Sequence, residues 1–195
     1  MPRAGLNEVR VIEEAEAVAD EVGLSELTLV AVAGRLGVRQ PSLYKHIDSL
    51  AGLKRSIAVR AKSELAEILG RAAVGRSEGD AVRSLALAYR VWARAHPGRY
   101  EAAQKAPAPG DEDDERASAA VVKICADVLA GYGLEGDDAI DAIRALRSAL
   151  HGFVLLETGG GFGLPVDVDR SFERLVAGVA TAFVRWPEPS VTPTR

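Results

Sequence analysis

Cysteine is almost missing from this chain: Cys125 is the one thiol in 195 residues. No disulfide can close within the chain, so stability must come from a packed core, and this usage fits a reducing cytoplasm. Cys125 falls on an apolar helical stripe, where a packed thiol is the expected role and a redox sensor the alternative. Histidine is scarce as well. His46, His96 and His151 are far apart in sequence and form none of the helix-spaced pairs that bind metal, so no metal site is expected. Catalytic signatures are lacking too: there is no nucleophile elbow, and Gly159, Gly160, Gly161 and Gly163 have neither the preceding strand nor the following lysine of a phosphate loop. These glycines read as a flexible connection. Neither enzyme activity nor a cofactor is expected. No signal peptide and no membrane-length apolar run is visible, which adds to the expectation of a cytoplasmic protein without a membrane partner.

Strand-favouring clusters are few, whereas alanine, leucine, arginine and glutamate abound and hydrophobic residues make up 48%. That balance predicts an all-α protein with apolar residues enough for one or two domains. Apolar spacing gives about nine helices. The first, over 6–22, buries Val11, Ile12, Ala15, Val18, Ala19 and Val22, and Gly23 ends it. The second and third fall within 28–46, and the fourth, over 50–73, carries Leu53, Ile57, Ala61, Leu65 and Ile68 on one face. The fifth, at about 80–95, carries Val82, Leu85, Tyr89 and Trp92 at helical spacing. His96, Pro97 and Gly98 then force a turn into a short sixth helix at about 99–103. The loop 106–115, APAPGDEDDE, ends in acids that suit the start of a seventh helix over 114–131. Consecutive acids do not converge on one ion, so this run is read as a helix start rather than a metal site. The last two helices are expected at 137–157 and 167–186. The expected division is a three-helix head over 1–48, a C-terminal helical domain over 49–186 and a proline-rich, disordered tail over 187–195.

The most informative stretch is 28–46, TLVAVAGRLGVRQPSLYKH. Thr28 is a good N-cap type. Leu29, Val32, Ala33 and Leu36 recur at helical spacing, and Gly37 falls where that helix must stop, in a conformation cheap for glycine. Pro41 suits the first position of a second helix, with Gln40 as its cap and Leu43 pinning it to the first. A short helix, a glycine turn and a second short helix make a helix-turn-helix. Gln40, Ser42, Tyr44, Lys45 and His46 then face outward, and these types suit DNA. Glutamine pairs bidentately with adenine, serine and histidine bond base edges or phosphates, and tyrosine and lysine reach the backbone. The alternative is a plain αα-hairpin in which Tyr44 only packs on its neighbours.

The segment LTLVAVAGRLGVRQPSLYKHI resembles the DNA-binding domain of the TetR/AcrR family of bacterial transcriptional regulators. Its LGVRQPSLYKHI run is especially similar to the tetracycline repressor branch, with LGV, QP, a small hydroxyl residue, LY and H in register. The likeness covers roughly residues 6–62. It implies base or backbone contacts at Gln40, Pro41, Ser42, Tyr44 and His46 and a phosphate contact at Lys54; Thr28 and Lys45 complete the candidate DNA-binding set. Val30 and Lys45 depart from the branch, standing where it has a base-reading arginine and an aromatic, so its operator sequence does not transfer.

Charge supports the same place. The chain holds 24 basic and 28 acidic residues, so a nucleic-acid binder must segregate them. Residues 35–62 carry seven basic residues (Arg35, Arg39, Lys45, Lys54, Arg55, Arg60, Lys62) against one acid, Asp48. The segments on either side are both net acidic. The expected partner is therefore double-stranded operator DNA.

The C-terminal helices suggest the control element. Ile140, Ile143, Leu146, Leu150 and Phe153 form a large apolar stripe, and Ala142, Ala145, Ala149 and Gly152 a small one. The last helix adds Phe172, Val179 and Phe183. Two such helices can pair with their copies as a four-helix bundle, which resembles the dimer interface of TetR-type regulators. The candidate interface is Ala142, Ala145, Ala149, Gly152, Phe172, Val179 and Phe183. Trp92, His96, Tyr100, His151, Phe153 and Glu157 are candidates for an effector cavity, since polar groups on apolar walls suit a small molecule; each can equally be a core residue. The expected whole is a homodimeric, ligand-responsive transcriptional regulator, a repressor released from a palindromic operator by a small-molecule effector. A helical module that binds a small molecule or protein without DNA binding is the alternative.

Overall fold

The computed structural model describes residues 6–186, so the tail 187–195, expected to be disordered, lies outside the described residues. Within them the chain is all-helical: α1 (Glu8–Val22), α2 (Leu29–Leu36), a 3-10 helix (Gln40–Lys45), α3 (Leu50–Ala73), α4 (Glu78–Ala95), α5 (Pro97–Ala103), α6 (Glu112–Leu129), α7 (Gly136–Thr158) and α8 (Val168–Val184). A three-residue 3-10 turn, Ala130–Tyr132, extends α6. All nine expected helices are present, the third in 3-10 form.

The described residues form two compact units: 6–69 with 88–123, and 70–87 with 124–186. The division runs inside α3, α4 and α6. In the first unit, α1 starts on Asn7, whose side chain accepts the Arg10 amide at 2.9 Å, and stops at Gly23 with φ 92°. Its stripe of Val11, Ile12, Ala15, Val18 and Ala19 is buried with Leu24, Leu27, Val32, Ala33, Leu43, Leu53 and Ile57. This apolar cluster fixes α2, the 3-10 helix and the start of α3 against α1.

A second seat for α1 is less obvious from the sequence. Gly98, in the first turn of α5, lies so close to the α1 backbone that a Cβ there would overlap the Ala19 carbonyl. Polar groups complete the joint: the Arg99 amide donates to Asp20 Oδ1 at 2.9 Å, Arg99 Nε to Asp20 Oδ2 at 2.8 Å, and the Leu24 amide to Glu101 Oε2 at 3.2 Å. The α5 helix is thus built against α1 backbone to backbone.

In the second unit α7 buries Ala139, Ala142, Leu146, Leu150, Phe153 and Val154, and α8 buries Phe172, Val176 and Phe183. Phe153 meets Phe162 and Phe172 with ring centroids 4.8 and 5.1 Å apart, in the tilted and edge-on arrangements aromatic pairs prefer. Cys125 is buried in this unit, and burial pushes its thiol up to about 11, far from the thiolate a redox sensor needs.

The Gly98 contact yields a direct test. Gly98→Ala should destabilise the protein by about 1–3 kcal/mol or more in urea unfolding, because the added methyl has backbone rather than a flexible side chain in its way. Gly34→Ala, at a helical position with open space around it, should instead be neutral to stabilising.

Candidate nucleic-acid interface

The helix-turn-helix is assembled by short-range chemistry. Thr28 Oγ1 accepts the Ala31 amide at 3.2 Å and starts α2. Gly37 ends it in the left-handed region at φ 67°, and the Val38 amide reaches back to the Ala33 carbonyl at 3.0 Å, closing a Schellman-type cap. The 3-10 helix then begins one residue earlier than expected. Arg39, not Gln40, is its cap, and its carbonyl accepts the Ser42 amide at 2.9 Å. Only six residues separate that cap from the His46 stop, and i→i+3 bonds tighten so short a piece. Leu43 is fully buried and anchors it to the α1–α2 core.

With Leu43 inward, the remaining side chains are turned toward solvent. Pro41, Tyr44 and Lys45 are exposed, Gln40, Ser42 and His46 half-buried, and Thr28 exposed at the start of α2. Tyr44, Lys45 and His46 line a polar cleft of about 400 Å³ together with Asp48, Gly52, Arg55 and Ser56. Lys54 projects from the first turns of α3, its ammonium donating at 3.5 Å to the Ser25 carbonyl. Val30, where no arginine stands, is 67% exposed on α2, so the head presents an apolar side chain at that point.

The positive charge is smaller than the sequence count. Arg35 bonds Glu14 and Glu21, the latter at 2.6 Å; Arg60 bonds Glu16 at 2.8 Å; and Lys62 meets Asp114 at 2.5 Å with both side chains buried. Arg55 is paired with Asp111 and Asp113, and its hydrogen bonds hold the Asp111 carboxyl below the usual carboxylate range. Four of the seven cations are therefore neutralised within the protein. Arg39, Lys45 and Lys54 are not ion-paired among the described residues, and all three lie on or beside the 3-10 helix and the start of α3.

The candidate effector residues fall in both units. In the first, Trp92, His96 and Tyr100 cluster, with the Trp92 ring 5.9 Å from His96 and 6.4 Å from Tyr100. The Tyr100 hydroxyl shares a buried 3.0 Å hydrogen bond with Tyr89. His96 is drawn into the Asp20–Arg99 network, while the buried indole Nε1 of Trp92 has no hydrogen-bond partner among the described residues. In the second, Phe153 belongs to the aromatic core, and His151 and Glu157 are half-buried on α7. Burial, then the nearby Arg147, lowers the His151 pKa. Among the described residues no group of three His, Cys, Asp or Glu side chains is placed to hold a metal. No single described helix is long and apolar enough to cross a membrane.

The candidate dimer residues separate by burial. Ala142, Phe172 and Phe183 lie in the chain's own core with at most 1% exposure, which removes them from any partner-facing surface. A helix apolar on two sides does not reveal from its pattern which side its own fold consumes. Ala145 is exposed, and Ala149, Gly152 and Val179 are half-exposed.

Comparison with known proteins agrees with this architecture. Residues 82–179 match the family model described as "Tetracyclin repressor-like, C-terminal domain". The chain is 39% identical to the HTH-type transcriptional regulator Rv0681 of Mycobacterium tuberculosis, over 93% of this chain and 84% of that protein. It is 34% identical to the HTH-type regulator YobS of Bacillus subtilis, over 86% and 87%. Among solved structures it is similar in fold to a single-residue variant of TetR from Acinetobacter baumannii, crystallised in complex with minocycline, at a TM-score of 0.71 and 22% identity, covering 94% and 99% of the two chains.

The buried pair tests how the charge is tied down. Lys62→Ala should cost about 3–5 kcal/mol by leaving Asp114 buried and unpaired, whereas Lys62→Met with Asp114→Leu should recover most of that loss in thermal unfolding.

Proposed function

The chain belongs to the tetracycline repressor-like family of helix-turn-helix transcriptional regulators, and on that premise we propose that it is a homodimeric, ligand-responsive repressor of a near-palindromic operator, acting in the cytoplasm. The observation that carries the reading is the convergence at the head. Pro41, Tyr44 and Lys45 are exposed and Gln40, Ser42 and His46 half-exposed on the short helix beside which Arg39, Lys45 and Lys54 have no ion pair among the described residues. Gln40 and Ser42 are assigned to base edges, and Tyr44, Lys45, His46, Lys54 and Thr28 to the backbone. Two such heads in a dimer would enter successive major grooves about 34–36 Å apart.

The surface left by α7 and α8 supports pairing. Ala145, Ser148, Gly152 and Leu155 follow one another every three or four residues on the open side of α7, and Leu175, Gly178 and Ala182 do the same on α8. Small residues at that spacing let helices of two copies approach closely. Gly152 and Gly178 each have open space where a side chain would go, so a large residue is tolerated by the subunit but not by a close helix pair. Gly152→Arg and Gly178→Arg should therefore give folded monomers by light scattering where the parent is a dimer. A parent that scatters as a monomer would remove this part of the reading.

An effector would act by preferring the non-binding arrangement, and about 1–3 kcal/mol of preference suffices to couple the two events. The Trp92 indole, buried and without a hydrogen-bond partner among the described residues, is a donor suited to an acceptor on such a molecule.

The primary experiment is binding to the DNA upstream of the protein's own gene. Tyr44→Ala and Lys54→Ala should weaken binding to every sequence alike. Gln40→Ala should relax sequence preference by about 1–3 kcal/mol at one base pair. If Gln40→Ala leaves the preference intact, the base-reading assignment is wrong.

A further inference from the structure

Arg55 lies on the wall of the cleft that holds Tyr44, Lys45 and His46, yet its charge is spent elsewhere. Its Nε donates to Asp111 Oδ2 at 2.5 Å, and its Nη2 donates both to Asp111 Oδ1 and, at 3.3 Å, to Asp113 Oδ2. This is the fork-on-fork arrangement in which guanidinium and carboxylate bind strongly, with a second carboxylate added.

The acceptors are themselves held in place. Asp111 Oδ1 also accepts the Asp114 amide at 3.1 Å, so the carboxylate that grips Arg55 is the cap of α6. Glu115 Oε1 accepts the Gly110 amide at 3.3 Å, and Asp114 makes the buried bridge to Lys62 two turns further along α3. The first turn of α6 therefore lies along α3 and presents carboxylates to it at two points.

The two points differ in one respect. The Lys62 side chain is 5% exposed, so no outside anion can reach it, whereas that of Arg55 is 46% exposed on the side of the cleft. A DNA phosphate approaching Tyr44 and Lys45 meets the same guanidinium that Asp111 and Asp113 already occupy. Phosphate and paired carboxylate offer the same planar donors the same geometry, so they compete for it.

We propose that Arg55 is a reserve phosphate contact, withheld from DNA by Asp111 and Asp113, so that the first turn of α6 sets how many phosphates the head engages. The proposal rests on the DNA-binding reading above. Any event that shifts the start of α6 would release one more cation to the DNA face of each subunit, and any event that tightens it would keep the head weak. The cap and first turn of α6 then act as an electrostatic rival to DNA, which accounts for a run of acids placed beside the most basic part of the chain.

The test uses the full-length protein and a duplex of arbitrary sequence, with the binding constant followed against salt. Asparagine caps a helix as well as aspartate, so the double variant Asp111→Asn, Asp113→Asn keeps the start of α6 while removing the rival charge. Its log–log salt slope should steepen by about 0.9 per subunit relative to the parent, as expected when one more phosphate is neutralised, with tighter binding at low salt. Adding Arg55→Gln to that double variant should return the slope to the parent value. An unchanged slope in the double variant overturns the proposal. So does a steepening that survives Arg55→Gln, because it would then come from the general loss of negative charge. A parent protein that shows no affinity for the duplex would overturn the DNA-binding reading itself, and the two failures are thus told apart.

Discussion

The ion pairs that carboxylates make along α3 decide what the head has left to offer DNA. Glu16 from α1 and Asp111, Asp113 and Asp114 from the start of α6 reach Arg60, Arg55 and Lys62 on this one helix. Exposed pairs of this kind contribute about 0–1 kcal/mol each, and the buried Lys62–Asp114 pair offsets much of its attraction by desolvation. Their main effect is therefore on charge placement rather than on stability. Stability comes from the apolar cluster of α1, α2, Leu43, Leu53 and Ile57. Because the two jobs fall to different residues, the surface charge of the head can vary without unfolding it.

A second constraint acts on α1. Its outer end is seated on α5 through Gly98, where no side chain fits, and through Asp20, which accepts from both the backbone and the side chain of Arg99. Helices in such backbone contact move together or not at all, since packed interfaces are not continuously deformable. The compact unit that holds the helix-turn-helix thus includes α5 and the first part of α6 as well as the first three helices.

Local rules made much of this legible in the sequence. Thr28 as cap and Gly37 as stop each depend on residues within five positions, and both stand where expected, as does Leu43 as anchor. The third helix shows where local rules lose resolution: cap and first turn are shifted by one residue, to Arg39, and the piece is too short for a full α-helix. The charge count fared worse, for a physical reason. Arg35 meets Glu21, Arg55 meets Asp111 and Lys62 meets Asp114 across 14, 56 and 52 residues, and no window along the chain contains both members of the longer pairs. The same blindness put Ala142, Phe172 and Phe183 on a partner-facing surface, because periodicity shows two apolar sides without saying which one the fold covers. Gly98 gave no signal, since a close approach depends on a helix that is distant in sequence.

The salt dependence of duplex binding by the unmodified protein tests this picture of the head most directly. With Arg39, Lys45 and Lys54 as the available cations, six in the proposed dimer, the binding constant should fall with a log–log slope of about −5. A slope near −13, the value if all seven cations of residues 35–62 in each subunit met phosphates, would contradict the claim that carboxylates inside the protein have already neutralised the rest.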